Sequence, residues 1–336
     1  MFVAMTTTRF ETSNARNAPS GPKTGRQTPE TRQADVPNGM YNFASRSFIR
    51  QSRNGRDHGE GVPMLNESQV RAYLERIGWF EGHMQLPTCV AEDLDALVWL
   101  HQTHVPFENI DAHILHKPAS LGIDDLFRKI VIDGRGGICY ELNAAFHALL
   151  IGLGFDVFPV FARNVRNIPE GESAPISHRS EIVRLDGGLR YVDVGYGGPM
   201  AGCSLPVFEG SKTLSAGRWF QVVQTIEKGW FQLSYASASC SLGDTNPPVD
   251  EAFEPILLFH DRPAREEDFV PYCWYTTMCP DSVFVRLMFM NVRTGTGNAS
   301  IRGDVFTTVD GTERRSVTIR EEEIPRLAED VFGLSW

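Results

Sequence analysis

One cysteine in this sequence lies where a nucleophile would be expected. Cys139 follows the glycine pair Gly136 and Gly137, and such a pair lets the backbone turn tightly and approach another surface closely. Apolar residues then recur at three- and four-residue steps as far as Gly152 and Gly154, which predicts a buried helix beginning near Cys139. A thiol in a first helical turn is favoured as the nucleophilic thiolate. The position equally suits a small buried hydrophobe, so Cys139 alone leaves both interpretations open.

A cysteine nucleophile needs a base, and the base needs a group that orients it. His178 and Asp193 lie on the two arms of a predicted hairpin. A four-residue loop, Arg184–Gly187, would place them directly opposite, with Cβ atoms about 5 Å apart. A three-residue loop would place them on different faces. A surface position is the alternative for His178, whereas Asp193 lies between two valines and would be costly to bury without hydrogen bonds.

Two further charged residues accompany the cysteine. Glu108 lies in the apolar segment Val105–Asp111, and Arg135 directly precedes the glycine pair. If both are buried, each would neutralise the other, and a bidentate pair would brace the loop that carries Cys139. Surface positions for Glu108 and Arg135 are the competing interpretation.

Composition excludes several classes of function. The chain has 336 residues, a net charge of −10 and 42% hydrophobic residues. The charge argues against a nucleic-acid surface, and no apolar run approaches a membrane span, so we expect neither partner. The six cysteines show neither a CxxC pair nor zinc-ligand spacing. We therefore expect no metal, reduced thiols and a cytoplasmic protein.

The residue pattern changes along the chain and predicts an α+β organisation. Residues 1–63 are polar and Arg/Ser-rich, which predicts a disordered N-terminal extension. Residues 64–154 read as a helical domain carrying Cys139, and residues 155–262 as an antiparallel β-barrel carrying His178 and Asp193. Residues 263–336 predict an α/β lid, in which residues 283–290 read as a strand.

Four motifs occur in a fixed order. They are Val105–Asp111 (VPFENID), Arg135–Asn143 (RGGICYELN), Tyr191–Gly198 (YVDVGYGG) and Tyr275–Phe284 (YTTMCPDSVF). Together they resemble the arylamine N-acetyltransferase family, whose corresponding segments are PFEN, RGG-x-C-x-E-x-N, VDVGFG and STHP-x-S-x-F. The resemblance runs from about Met64 to Trp336, and the ordered combination makes it specific.

The resemblance implies a papain-like cysteine-enzyme core and a role for the matching polar residues. Cys139 would be the acyl-accepting nucleophile, His178 the base, and Asp193 its orienting partner. Glu108 and Arg135 would match the family's structural pair.

The resemblance also implies an acceptor pocket and a reaction. Phe107, Tyr196, Gly197 and Phe259 would line the pocket. An acyl group, expected to be acetyl, would pass from acyl-CoA through an acyl-cysteine thioester to an arylamine or arylhydrazine, as in xenobiotic metabolism. Tyr196 replaces the family's phenylalanine, and Cys279 replaces a histidine that borders the CoA cleft.

Three alternatives use the same residues. The protein could be a cysteine hydrolase or transglutaminase-like enzyme, in which water or another group receives the acyl chain. It could be an amide synthase that closes a macrocycle on a polyketide thioester. It could also be a non-catalytic binding module, although the intact set Cys139, His178 and Asp193 argues against this.

Overall fold

The computed structural model describes residues 64–169, 172–236 and 247–335. The predicted N-terminal extension, residues 1–63, and Cys240 lie outside these residues, so the prediction of disorder stays a prediction. Within the described ranges, no helix has the length and apolar character needed to cross a membrane.

The first part of the chain is helical and surrounds one buried helix. Its elements are α1 (Glu67–Arg76), α2 (Trp79–Gly82), α3 (Ala91–His104), β1 (Phe107–Glu108), α4 (Ile110–His113), α5 (Ile123–Phe127), a π-helical turn (Arg128–Ile132) and α6 (Cys139–Leu153). Helix α6 begins where the Ile138 N–H donates to Glu141 Oε2 at 3.0 Å. It ends at Gly154, whose φ of 92° favours glycine. The helix predicted to begin at Cys139 is confirmed.

An eight-stranded antiparallel sheet follows and curves into a barrel-like layer. Its strands are β2 (Asp156–Asn164), β3 (His178–Leu185), β4 (Gly188–Val192), β5 (Leu205–Pro206), β6 (Ser211–Ser215), β7 (Arg218–Gln224), β8 (Trp230–Ala236) and β9 (Phe253–His260). The strand order is β5-β4-β3-β2-β9-β8-β7-β6. Helix α6 packs on β2 and β3, so the sheet places strand β3 beside the helix that begins with Cys139.

The β3–β4 hairpin corrects the predicted register. Glu181 pairs with Val192 and Leu185 with Gly188, so the turn has two residues and not the predicted four. The tight turn is possible because Gly188 has a φ of 112°. The shift is two residues, which preserves the face on which a side chain lies. His178 and Asp193 therefore share a face but are not directly opposite.

A second, five-stranded sheet has the order β1-β10-β11-β12-β13. Its further strands are β10 (Phe289–Arg293), β11 (Gly297–Arg302), β12 (Val305–Asp310) and β13 (Glu313–Thr318), with helices α7 (Val270–Met278), α8 (Val283–Arg286) and α9 (Ile324–Phe332). Strand β1 comes from the helical part and pairs with β10. The division of the chain into three domains stays a prediction.

Residues 283–290 do not form the single strand that was predicted for them. The Ser282 hydroxyl accepts the Phe284 N–H at 3.2 Å and caps the short helix α8. The cap starts a helical turn directly after Ser282, and the strand begins only at Phe289.

Candidate active site

The structure brings Cys139, His178 and Asp193 together. Cys139 is the first residue of α6 and is 5% exposed. His178 is the first residue of β3, and its Nε2 lies 2.6 Å from Asp193 Oδ2. Cys139 lies near enough to His178 to raise the pKa of its imidazole. Because Nε2 contacts Asp193, Nδ1 is the ring nitrogen that is available to the thiol.

The charges around His178 favour its protonated form. Burial by itself lowers the pKa of His178, but the charges of Asp193 and Cys139 and the hydrogen bonds to both raise it to about 10. An imidazolium is thus the stable form of His178 at neutral pH. An imidazolium beside a thiol stabilises the thiolate, which is the nucleophilic form of cysteine.

Asp193 is held by hydrogen bonds on both of its oxygens. Oδ1 accepts from Asn143 Nδ2 at 3.0 Å and from the Gly195 N–H at 2.9 Å. Oδ2 accepts from the Tyr191 hydroxyl at 2.9 Å, in addition to its contact with His178. These bonds satisfy a carboxylate that is 2% exposed and fix its orientation. Sequence reasoning missed Tyr191, although a residue two positions before Asp193 on a strand shares its face.

Asn143 connects the cysteine helix to the hairpin. Its Nδ2 also donates to the Arg179 carbonyl at 2.6 Å, and its Oδ1 accepts the Val194 N–H at 3.0 Å. At Gly195 an added Cβ would lie 2.9 Å from Cys139 Cα. Only glycine permits this approach of the chain after Asp193 to the start of α6.

The predicted pair Glu108–Arg135 forms, with a different geometry from the one expected. Arg135 Nε and Nη2 both donate to Glu108 Oε1, at 3.1 and 2.8 Å. The two-oxygen, bidentate arrangement is absent because Glu108 Oε2 accepts the Ile110 N–H at 2.7 Å. Next to Arg135, an added Cβ on Gly136 would lie 1.9 Å from the Pro106 carbonyl oxygen, so the first glycine of the pair allows a close backbone contact.

Sequence reasoning missed the second cation of this cluster, Lys129. Its Nζ lies 2.6 Å from Asp111 Oδ2, 2.7 Å from Glu141 Oε1 and 3.9 Å from Glu108 Oε1. Burial lowers the pKa of Lys129, but the three carboxylates outweigh burial and raise it. Nothing in the spacing of the sequence indicates these contacts. We call Lys129, Arg135 and their three carboxylates the cysteine-loop cluster.

A second buried cluster lies behind His178. Arg179 has no exposed surface, and its Nε donates to Glu181 Oε1 at 2.8 Å. Its Nη1 and Nη2 donate to the two oxygens of Glu266, at 2.5 and 2.8 Å. His147 Nδ1 lies 2.7 Å from Glu181 Oε2. This set, the Arg179 cluster, connects β3, α6 and the turn that precedes α7.

A cleft opens next to the catalytic candidates. It encloses about 620 Å³ including its open mouth. Phe107 and Tyr196 line it as expected, whereas Gly197 is not among the lining residues and lies against the Phe107 ring, where an added Cβ would be 3.0 Å away. The Tyr196 ring meets the His178 ring edge to face at 5.6 Å. The further lining residues are Gln102, Val105, Val194, Gly198, Pro199, Met200, Ala216, Arg218, Asn291, Arg293, Gly297 and Asn298.

Phe259 does not line this cleft, contrary to expectation. Its ring has no exposed surface and packs on Tyr191 at 4.4 Å and on Phe231 at 5.7 Å. Strand β9 directs it into the barrel core, where it supports the ring of the tyrosine that binds Asp193. Among the residues that the structure describes, no group of three or more His, Cys, Asp or Glu side chains is placed to hold a metal ion.

The fold and site define a class, the papain-like cysteine enzymes, with the cysteine on a helix and the histidine and acid on an adjacent sheet. A family profile described as N-acetyltransferase matches residues 91–336. The chain therefore belongs to the arylamine N-acetyltransferase family, a family of acyltransferases. The predicted family, fold class and enzyme class are confirmed.

Individual relatives agree with this membership. The chain is 30% identical over 234 residues to an arylamine N-acetyltransferase of Mycolicibacterium smegmatis, covering 69% of this chain and 78% of that protein. It is 35% identical over 144 residues to proansamycin X synthase of Amycolatopsis mediterranei, covering 40% of this chain and 51% of the synthase. The chain thus matches about half the length of that synthase.

Solved structures show the same fold. The M. smegmatis arylamine N-acetyltransferase superposes with a TM-score of 0.70 at 25% identity, covering 79% of this chain and 92% of that chain. The Mycobacterium marinum enzyme in complex with CoA has a TM-score of 0.69 at 21% identity, covering 79% and 92%. The second likeness is one of fold alone.

Proposed function

We propose that this protein transfers an acyl group, in the first instance acetyl, from acyl-CoA to an arylamine or arylhydrazine by a ping-pong mechanism. The observation that carries the proposal is the hydrogen bond between His178 and Asp193, with Cys139 near enough to act on the same imidazole, beside an aromatic-walled cleft. Family membership supplies the reaction class, and the CoA complex of the M. marinum relative supports CoA as the donor's carrier.

The first half-reaction acylates the cysteine. The Cys139 thiolate attacks the thioester carbonyl, and the bond between the carbonyl carbon and the CoA sulfur then breaks. CoA leaves with the proton of the His178 imidazolium, so an acyl-cysteine and a neutral imidazole remain. Asp193 is the positioning residue, because its hydrogen bond to Nε2 directs Nδ1 toward the thiol.

The oxyanion of each tetrahedral intermediate needs N–H donors. The Gly195 N–H donates to Asp193 and the Ile138 N–H donates to Glu141, so neither is free for this task. We assign the Cys139 N–H, at the start of α6, as a donor, because the first N–H groups of a helix lack partners within the helix.

The second half-reaction transfers the acyl group. The amine attacks the acyl-cysteine, His178 accepts the amine proton, and the Cys139 thiolate leaves. A flat acceptor would lie between Phe107 and Tyr196, whose rings line the cleft. Glu108 and Arg135 take no part in bond making; with Lys129 they hold the loop before Cys139 in place.

A macrocycle-forming amide synthase is the second candidate. It is favoured by the sequence identity between this chain and a protein whose name is that of a synthase and not of an acetyltransferase. Both candidates require an acyl-Cys139 and an amine nucleophile. They differ in the acyl donor and in whether the amine belongs to a second molecule or to the acyl chain itself.

Intact-protein mass spectrometry after incubation with acetyl-, propionyl- and malonyl-CoA tests the proposal. We expect one acyl adduct per chain, located on Cys139 by peptide mapping and absent from Cys139→Ala protein. Addition of an arylamine should remove the adduct and sustain CoA release, whereas water alone should not. An adduct on another residue, or equal CoA release without amine, would exclude acyl transfer through Cys139. A cytoplasmic location and a role in xenobiotic metabolism stay predictions.

A further inference from the structure

Two arginines project into the cleft beside the catalytic candidates. Arg218 is the first residue of β7, and Arg293 is the last residue of β10. Both are partly buried, and both line the cleft that Phe107 and Tyr196 also line. No carboxylate is among the lining residues that the structure describes, so the charged part of this wall consists of cations alone.

Arg293 is fixed in place by contacts to neutral groups. Its Nε donates to Gln102 Oε1 at 2.6 Å, its Nη2 donates to the Met200 carbonyl, and its guanidinium lies 5.3 Å from the Trp99 ring. Gln102 in turn donates to the Asp193 carbonyl at 2.9 Å. These contacts orient the guanidinium without neutralising it, and they connect it to the backbone of the residue that orients His178.

Arg218 has fewer contacts. Its guanidinium lies 5.8 Å from the Tyr235 ring, and within residues 64–169, 172–236 and 247–335 it forms no hydrogen bond and no ion pair. Arg135 and Arg179, by contrast, each contact carboxylates at 2.8 Å or less. Among the described residues, the Arg218 guanidinium therefore has no carboxylate to neutralise it, unlike those of Arg135 and Arg179.

The two cleft arginines act on each other. Burial lowers the pKa of Arg293, the Cys203 thiol raises it, and the positive charge of Arg218 lowers it, to about 10 in all. Like charges in a partly desolvated cleft repel each other, and an anion placed between them would relieve both the repulsion and the desolvation cost.

We propose that Arg218 and Arg293 form a subsite for a substrate carboxylate in this cleft. The inference rests on the proposed acyl transfer, because the carboxylate would belong to one of its two substrates. It would be either a ring substituent of the acceptor amine or the free end of a dicarboxylic acyl chain such as malonyl. A guanidinium fork matches a carboxylate in geometry and charge, and the aromatic walls would hold the rest of the substrate.

Paired substrates that differ only in this charge test the subsite. The acceptor arm compares 4-aminobenzoate with neutral 4-aminobenzamide, both with acetyl-CoA. The donor arm compares malonyl-CoA with acetyl-CoA, both with 4-aminobenzamide. We expect wild-type kcat/KM to favour the carboxylate member in one arm, and Arg218→Gln to lower that ratio about tenfold or more, as for loss of a charged hydrogen bond.

Two control variants separate a loss of the carboxylate preference from a general loss of activity. Arg218→Lys should retain part of the preference, because the charge remains while the fork is lost. Arg314→Gln, an exposed change on β13, should leave the ratio at the wild-type value. Because Arg293 also holds Gln102 and Met200, its variants risk misfolding, so Arg218 is the primary position.

A binding measurement tests the subsite without turnover. Calorimetry of Cys139→Ala protein with benzoate and with benzamide should show preference for benzoate, and Arg218→Gln in the same background should weaken it about tenfold or more. If wild-type protein discriminates in neither arm and benzoate does not bind preferentially, the subsite is wrong. If Arg218→Gln raises the KM for acetyl-CoA equally with both acceptors, the arginines serve the CoA phosphates and the inference is overturned. Failure of the proposed function itself would appear separately, as absence of an acyl-Cys139 adduct with every donor.

Discussion

Two groups of charged residues near Cys139 differ in their pairing. On the paired side, Lys129 and Arg135 contact three carboxylates, and Arg179 is enclosed by two more. In the cleft, Arg218 and Arg293 have no carboxylate beside them in the part of the chain that the structure describes. Buried charges that are fully paired hold backbone in place, whereas unpaired charges in a cleft indicate a ligand.

The paired side also explains how the site is assembled from distant parts of the chain. The cysteine-loop cluster joins the segment around β1 to the first turn of α6. The Arg179 cluster joins β3 to α6 and to the turn before α7. The segments that carry Cys139 and His178 are therefore held by buried ion pairs, whereas the cleft beside them has none among its lining residues.

Replacement of the proposed nucleophile, Cys139, should have the largest effect. We expect Cys139→Ala to lower acyl transfer by a factor on the order of 10⁴ or more, since no other group replaces a lost nucleophile. Steady-state CoA release is the measurement. Cys89→Ala, which removes an exposed thiol, should retain full activity. Substantial transfer by Cys139→Ala protein would place the reaction elsewhere and remove the basis of the comparison between the two sides.

Asp193→Asn should lower acylation by roughly 10³-fold while the protein still folds, as expected when a catalytic histidine loses its orienting acid. The pH profile gives a second readout. In the wild type the pKa of His178 is raised to about 10, so the imidazolium, and with it kcat/KM, should be lost only as pH rises toward 10. Without the Asp193 charge, burial lowers the pKa of His178, and this basic limb should move to lower pH.

Rapid-mixing measurement of CoA release between pH 6 and pH 10.5 would follow the basic limb of the pH profile. If it stays in place in Asp193→Asn protein, the aspartate does not set the charge state of His178. A purely structural role for Asp193 would lower the rate at every pH without moving the limb.

Arg135→Gln tests the paired side. The change removes one of two cations that serve two buried carboxylates, Glu108 and Glu141, and the partly exposed Asp111, so we expect the free energy of unfolding to fall by about 3–5 kcal/mol. Urea titration followed by circular dichroism measures it. Arg128→Gln is the matched control, because that side chain is 80% exposed and its nearest ion-pair contact, to Asp133, is 3.9 Å. Equal stability of both variants would show that the cysteine-loop cluster is not needed for folding.

Glu266→Gln should have the smallest of these effects. It retains an acceptor for Arg179 but removes the charge, so we expect a loss of roughly 1–3 kcal/mol in stability. Neighbouring Glu267 is exposed, and Glu267→Gln should be neutral within about 0.5 kcal/mol. Differential scanning calorimetry compares the two. A neutral Glu266→Gln would mean that Glu181 and the Phe269 ring, 4.9 Å from the guanidinium, suffice for Arg179.

The sequence alone determined the catalytic candidates and the family. The glycine pair and the apolar residues that follow it at three- and four-residue spacing located the start of α6 at Cys139. Both signals depend only on residues that are close together in the sequence. Four motifs in order identified the family that residues 91–336 were then found to match. The placement of His178 and Asp193 on one face was predicted correctly, although the turn between them was not.

Only the tertiary structure decided which distant residues surround these candidates. Lys129 contacts Glu141 and Arg179 contacts Glu266, pairs that no local period connects, and Phe259 lies in the barrel core because of how β9 pairs. Burial determines whether a charge needs a partner, and burial depends on the packing of whole elements. For the same reason, only the tertiary structure identifies the cleft arginines that lack a carboxylate partner, because the packing of two sheets places β7 and β10 along the same wall of the cleft.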